Sequence, residues 1–244
     1  NMLLHGFPDA DIRKGDTMSY PKLLVDRQLM LFDRVIANPP FSLDRWGTEV
    51  AENDGFGRFR HGIPPRTRGD FAFVQHMVAT INQKGKLGVV VPHGVLFRGA
   101  AEGRIREAMI KEDLVEAIIG LPPNLFYGTG IPAAIIVINK NKPADRKGKV
   151  LFINAADEYQ EGKNQNHLRD QDIQKIVKAY KDNKPLEKYC RAILVKEIAE
   201  NDYNLNISRY IDNTPEEEEI DLKAAVKELH EVEKRRKEVE EKMN

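Results

Sequence analysis

The 244 residues are 41 % hydrophobic and 31 % charged, enough apolar material for one large domain, or a domain with an appended module, under an ionic surface. Lys and Arg (38) balance Asp and Glu (38), so no global field draws the chain to nucleic acid, and any such binding has to come from local patches. The single cysteine, Cys190, excludes a disulfide framework and a cysteine-based zinc site. No run approaches the roughly 18–20 apolar residues of a membrane span, and no charged-then-apolar leader opens the sequence, so no membrane partner is expected and a reducing cytoplasm is the expected compartment.

In chain order, residues 1–6 read as the last turn of an amphipathic helix closed by Gly6; the first residues look like the middle of something. A short extended stretch over 11–14 ends at Gly15-Asp16-Thr17. Residues 32–37 form a β-branched apolar run stopped by the rigid turn Asn38-Pro39-Pro40-Phe41. From 42 to 69 there is no sustained periodicity; Gly55, Gly57, Gly62, Pro64 and Pro65 mark a long loop, of the kind that in compact domains is usually functional or disordered. Asp70 is the expected N-cap of a helix carrying Phe71, Val74, Met77, Val78 and Ile81 at helical spacing and ended by Gly85. Strands are expected over 87–91, 114–121, 131–139 and 150–154, with a helix over 104–111 between the first two. Continuous apolar strands alternating with helices predict an α/β sheet covered on both faces.

After Ala155 the composition shifts. Residues 157–167 are polar, 169–182 predict a helix with Ile173, Ile176, Val177 and Tyr180 on one face, and 202–210 are polar and short. From Pro215 the chain is nearly all helix formers, with Leu222, Ala225, Leu229, Val232, Arg236, Val239 and Met243 on a heptad seam flawed only by Arg236. The expected division is a catalytic region over 1–154, a linker and helical segment over 155–214, and a heptad helix over 215–244 that pairs with another helical chain or packs on its own domain.

The chemistry concentrates at Asn38-Pro39-Pro40-Phe41, at the carboxyl end of a strand, where α/β sheets bind ligands. An exocyclic base amine is a poor nucleophile because its lone pair is delocalised into the ring. Two acceptors, the Asn38 side-chain carbonyl and the Pro39 main-chain carbonyl, can draw its two N–H bonds towards tetrahedral geometry and free that lone pair. The prolines fix φ and remove two competing donors, and Phe41 can stack on the base. Positioning then carries most of the catalysis, with no tuned general base required.

Residues 32–42 resemble the catalytic motif of S-adenosylmethionine-dependent DNA adenine-N6 methyltransferases, and more narrowly the modification subunit of type I restriction-modification systems. Agreement continues through Ile12-Arg13-Lys14-Gly15-Asp16-Thr17, the strand and loop of 85–97, the segment 121–140, and Asn201-Asp202-Tyr203-Asn204-Leu205-Asn206-Ile207-Ser208-Arg209-Tyr210; together these span about all of the chain. The resemblance implies a partial Rossmann-like methyltransferase sheet with a C-terminal helical extension. It implies S-adenosylmethionine as cofactor, its adenine contacted at Asp16 and Thr17, and Phe126 as the aromatic that, with Phe41, clamps the flipped base. It also implies double-stranded DNA as substrate, a specificity subunit docked on the C-terminal helix, and a restriction subunit in the full complex. A Gly-rich cofactor loop belongs before everything seen here, whereas Gly55, Gly57 and Gly62 fall after the catalytic turn. The expectation is therefore the C-terminal part of such a subunit, with an unpaired sheet edge and weak or no cofactor binding on its own.

Base flipping requires cations near the catalytic turn to grip phosphates. Arg45, Arg58, Arg60, Arg66 and Arg68, with His61 among them, are the expected DNA contacts. Lys140, Lys142, Arg146, Lys147 and Lys149 read rather as a lysine-rich surface turn, His93 as an ordinary loop residue, and Asp33 as structural. Trp46 suits either a DNA wedge or core packing. No His/Asp/Glu cluster has metal-ligand spacing. The same turn also serves methylation of RNA amines and protein glutamine, and a non-catalytic assembly fragment is the third alternative.

Overall fold

The computed structural model describes residues 2–212 together with 232 and 236. A 3-10 turn, Leu3–His5, is closed by Gly6 at φ 80°. The hairpin β1 (Leu24–Val25) and β2 (Gln28–Leu29) follows. Asp26 and Arg27 at its turn hold φ of 49° and 63°, the paired positive values a two-residue hairpin requires. The remaining strands and α-helices are β3 (Phe32–Ala37), α1 (Thr48–Ala51), α2 (Asp70–Thr80), β4 (Ile81–Pro92), α3 (Ala100–Lys111), β5 (Val115–Gly120), β6 (Ala133–Asn139), β7 (Lys149–Asn154), α4 (Asp170–Asp182), β8 (Cys190–Leu194) and α5 (Val195–Glu200), with further 3-10 turns at His93–Leu96, Ala144–Arg146 and Ile207–Arg209.

Six strands form one mixed sheet in the order β3-β4-β6-β5-β7-β8. β3 and β4 are parallel, as are β5 and β7, while β6 lies antiparallel between β4 and β5. The carboxyl ends of β3, β4 and β5 therefore share one rim, from which the turn at 38–41 and the loops at 93–99 and 121–132 emerge. Every residue of β5 is buried, as expected for a strand with both faces covered.

On one face, α2, α3 and α5 pack Phe71, Val74, Ile105, Met109 and Ile198 against Leu87, Val89, Ile118 and Phe152. Residues 203–211 join the same layer: a Cβ at Gly120 would stand 2.6 Å from Ile207 Cδ1, so only glycine lets the segment lie this close to β5. On the other face, α4 packs Ile176 on Ile119, Leu151 and Ile153. This second layer stops short of β3 and β4, leaving an apolar groove of ≈ 420 Å³ between Val35, Ile36, Leu87, Val137, Ile173 and Val177. The expected double coverage thus holds for one face and only part of the other. Among the described residues, β3 pairs with β4 and with no other strand.

Three expectations need correction. The helix expected to run from 70 to Gly85 ends at Thr80: Ile81 turns directly into extended backbone, pairs with Phe32, and Gly85 falls inside β4. Gly69, not Asp70, is the N-cap, because the Asp70 carboxylate is engaged elsewhere. The division at 154/155 does not separate layers either: residues 1–212 form one unit, since β8 pairs with β7 and Ile193, Leu205, Ile207 and Tyr210 enter the main core. The polar stretch at 157–167 belongs to that unit as well: Gln160 and His167 pair across it, and Asn166 is buried against the backbone at 123–124. The heptad helix over 215–244 lies outside the described residues, apart from Val232 and Arg236, both helical. No helix among the described residues is long and apolar enough to cross a membrane.

Candidate active site

β3 delivers Asn38 to the rim of the sheet. Asn38 is exposed, and among the described residues its side-chain amide has no hydrogen-bond partner, so both its polar atoms are open to a ligand. Pro39 and Pro40 contribute no N–H to compete with it. Phe41 turns back onto the core, and its ring meets Phe126 edge-on, with centroids 5.8 Å apart and planes at 74°. The two aromatic residues singled out from the sequence, 85 positions apart in the chain, are thus brought together beside the turn.

The chain leaves the turn under strain that a buried network holds. Ser42 has φ 49°, and its N–H donates to Asp70 Oδ1 at 2.7 Å. Asp70, 2 % exposed, also accepts from Arg98 at 3.1 Å, and Arg98 reaches Glu102 at 3.3 Å. Burial pushes the Glu102 carboxyl up; the Asp70 charge adds to this, while Arg98 and Arg68 oppose it. A carboxylate at the start of α2 also suits the positive end of the helix dipole. The anchor joins residues 28 positions apart in sequence; its one local signal, an acidic residue opening a helix, reads equally well as an N-cap. His93, at the end of β4, donates its backbone N–H to Pro132 at 2.9 Å, lies near Phe97, and is pushed down by burial.

The two ends of the 42–69 loop run side by side: Arg45 N–H donates to Arg66 C=O and Gly69 N–H to Leu43 C=O, both at 3.0 Å. Trp46 pins them, donating to Pro65 C=O at 2.9 Å from a core with Met18, Ala51 and Ala72; at 3 % exposure it is a packing residue. Arg45, Arg66 and Arg68 remain accessible, with side chains 78 %, 60 % and 50 % exposed and carboxylates no closer than 3.9 Å.

Arg58 and Arg60 depart from the expected DNA-contacting set. Arg58 is 2 % exposed; it pairs with Asp54 at 2.8 Å and donates to the carbonyls of Thr17 and Met18 at 3.3 and 2.8 Å. Burying a guanidinium is sustainable only with this degree of pairing, and its fork is divided between Asp54, His76 and the turn at 16–19. Arg60 is as exposed as Arg68, its side chain 54 % accessible, and is set apart by position: it pairs with Glu112 at 2.5 Å, just before β5 begins, at the end of the sheet opposite the turn at 38–41. His61 meets the same carboxylate at 3.0 Å. Lys142 and Arg146 are likewise structural, held by Asp113 and Glu116.

The turn that Arg58 supports carries the expected cofactor contacts. Asp16 and Thr17 are exposed. Asp16 Oδ1 accepts the N–H groups of Met18 and Ser19 at 2.9 and 3.1 Å, leaving Oδ2 outside both bonds. Burial works against the ionised form of Asp16, but these hydrogen bonds and the Arg58 charge outweigh it and hold the carboxyl below its ordinary range.

Residues 1–219 match the family model described as N-6 DNA Methylase. The chain is 40 % identical over 250 residues to the type I restriction enzyme MjaVII methylase subunit of Methanocaldococcus jannaschii, covering 98 % of this chain and 42 % of that protein. The MjaVIII methylase subunit of the same organism is 39 % identical over 94 % of this chain and 41 % of its own length. Among solved structures, a type I restriction-modification methyltransferase subunit from Streptococcus thermophilus superposes with a TM-score of 0.79 at 39 % identity, over 86 % of this chain and 44 % of that one. The chain therefore spans less than half the length of each of these three relatives.

Proposed function

The chain belongs to the N-6 DNA methylase family, with its α/β methyltransferase fold, and we propose that within a longer methylase subunit it forms the part that grips the target adenine and directs its amine to methyl transfer. The observation that carries this reading is the unpartnered Asn38 amide at the end of β3, beside the Phe41–Phe126 pair. The Asn38 and Pro39 carbonyls accept the two N–H bonds of the adenine N6 amine and free its lone pair. Two rings sandwiching a base stand about 7 Å apart, twice a ~3.5 Å contact. Phe41 and Phe126 are closer than that and nearly perpendicular, so the base stacks on one ring while the other meets its edge.

S-adenosylmethionine, when bound, supplies an electrophilic sulfonium methyl. The residues present fit part of it: Asp16, with one exposed oxygen outside its backbone bonds, accepts from the cofactor adenine, and Thr17 lies beside it. Arg45, Arg66 and Arg68 grip phosphates flanking the flipped nucleotide. Arg58 serves the same site indirectly, as the support of the cofactor turn. Sequence specificity comes from a partner subunit docked on the segment after 215, whose sequence carries the heptad pattern, and a restriction subunit joins the full complex.

The test is Asn38→Ala in a full-length methylase subunit carrying this sequence, assembled with its sequence-reading partner. Methyl transfer from labelled S-adenosylmethionine is expected to fall by 10² or more, the scale of removing one preorganised hydrogen bond to a reacting group, with DNA affinity within about threefold. Retained transfer contradicts the proposal.

A further inference from the structure

We propose that Tyr127 is the side chain that enters the base stack as the target adenine leaves it. The inference rests on the DNA-methylation reading above and adds a residue to it. Tyr127 is 90 % exposed, more than any other large hydrophobic side chain among the described residues. Its position is built rather than loose. Phe126 and Thr129 pair across a tight turn, Thr129 N–H donating to Phe126 C=O at 3.4 Å, and Gly128 holds φ 76°, the left-handed value this turn position reserves for glycine. Tyr127 is therefore the second of four turn residues, with its ring at the tip.

The root of this loop is clamped as well. Asn166 donates its backbone N–H to Asn124 C=O and its side-chain amide to Pro123 C=O, both at 2.9 Å, and the Gln165 side chain donates to Leu125 C=O. Phe126, adjacent to Tyr127, is the residue against Phe41. An aromatic ring on a rigid mount thus stands one residue away from the wall of the base site.

Extruding a base leaves a gap in the stack, and the forfeited stacking is a main cost of flipping. Apolar and aromatic side chains recover part of that cost by filling the gap. A ring on a preorganised turn does so with little ordering of its own, which gives Tyr127 a use for exposure that core packing does not explain.

The test compares two duplexes, one with the target adenine paired to thymine and one with an abasic site opposite it, using the full-length subunit in its DNA-reading complex. Tyr127→Ala is expected to lower single-turnover methylation of the paired duplex about tenfold or more, and to cost at least about threefold less on the abasic duplex, where no base pair opposes extrusion and only stacking remains to be recovered. Tyr127→Phe, which keeps the ring, is expected to restore the paired duplex. A 2-aminopurine at the target position is expected to brighten less on binding the alanine variant. Equal losses on both duplexes, or no loss on the paired one, overturn the proposal. Asn38→Ala in parallel is expected to abolish methylation of both; if it does not, the methylation reading itself has failed.

Discussion

At the residue scale, the arginines of the 42–69 loop divide by what holds them. Arg45, Arg66 and Arg68 are accessible, so alanine at each is expected to weaken DNA binding uniformly across sequences and to reduce the salt slope by about one unit for each phosphate no longer neutralised. Alanine at Arg60 is expected to change neither. Arg58→Ala strands Asp54, whose side chain is 5 % exposed, as an uncompensated buried charge, and a loss of about 3–5 kcal/mol in urea unfolding is expected. His76 lies against Arg58; burial, then the Arg58 charge, push its imidazole down to about 4. Below about pH 6.5 the unfolded chain binds a proton that the folded one refuses, so stability falls as pH drops from about 6.5 to 4, on the order of 2–3 kcal/mol. His76→Gln is expected to flatten that part of the stability–pH curve; an unchanged slope contradicts the assignment. The place of Asn38 at the end of β3 was legible because its signal is local, an apolar run stopped by a tetrapeptide. The fate of Arg58 was not, because its partners at 17 and 18 lie 40 positions away and an arginine among glycines looks like any surface cation.

At the element scale, β3 and β8 are the two edge strands of the sheet among the described residues, and β3 also borders the uncovered groove. Ile36 is 87 % exposed on a strand with one free edge, a template for association. Ile36→Lys is expected to lower concentration-dependent association in sedimentation velocity while shifting stability by no more than about 0.5 kcal/mol. At Gly120 the reverse holds: Gly120→Ala forces apart β5 and Ile207, and overpacking of this kind costs about 1–3 kcal/mol. Strands over 32–37, 115–120, 133–139 and 149–154 were legible from their apolar runs. The antiparallel insertion of β6 was not, because direction leaves no mark on composition. The β1–β2 hairpin was hidden by an Asp-Arg turn lacking glycine, and the abrupt passage from α2 to β4 by a glycine that looks like a helix stop but sits in a strand.

At the scale of the whole molecule, the family was legible because several motifs occur in one order, which no single motif secures. The compact unit was less so: short elements after Ala155 contribute core residues at irregular spacing, and a polar stretch at 157–167 imitates a linker. In the function proposed above, the residues present supply the target-base turn and the Asp16–Thr17 side of a cofactor site. Calorimetric titration of S-adenosylmethionine into this chain is accordingly expected to show weak or no binding, and a tight stoichiometric isotherm contradicts that division of labour. The most direct measurement is nucleoside analysis of DNA incubated with labelled S-adenosylmethionine and the full-length subunit in its complex. Label is expected in N6-methyladenine and absent from it with Asn38→Ala. Label in methylcytosine, no label in the DNA, or label that persists without Asn38 contradicts the assignment of the turn to adenine.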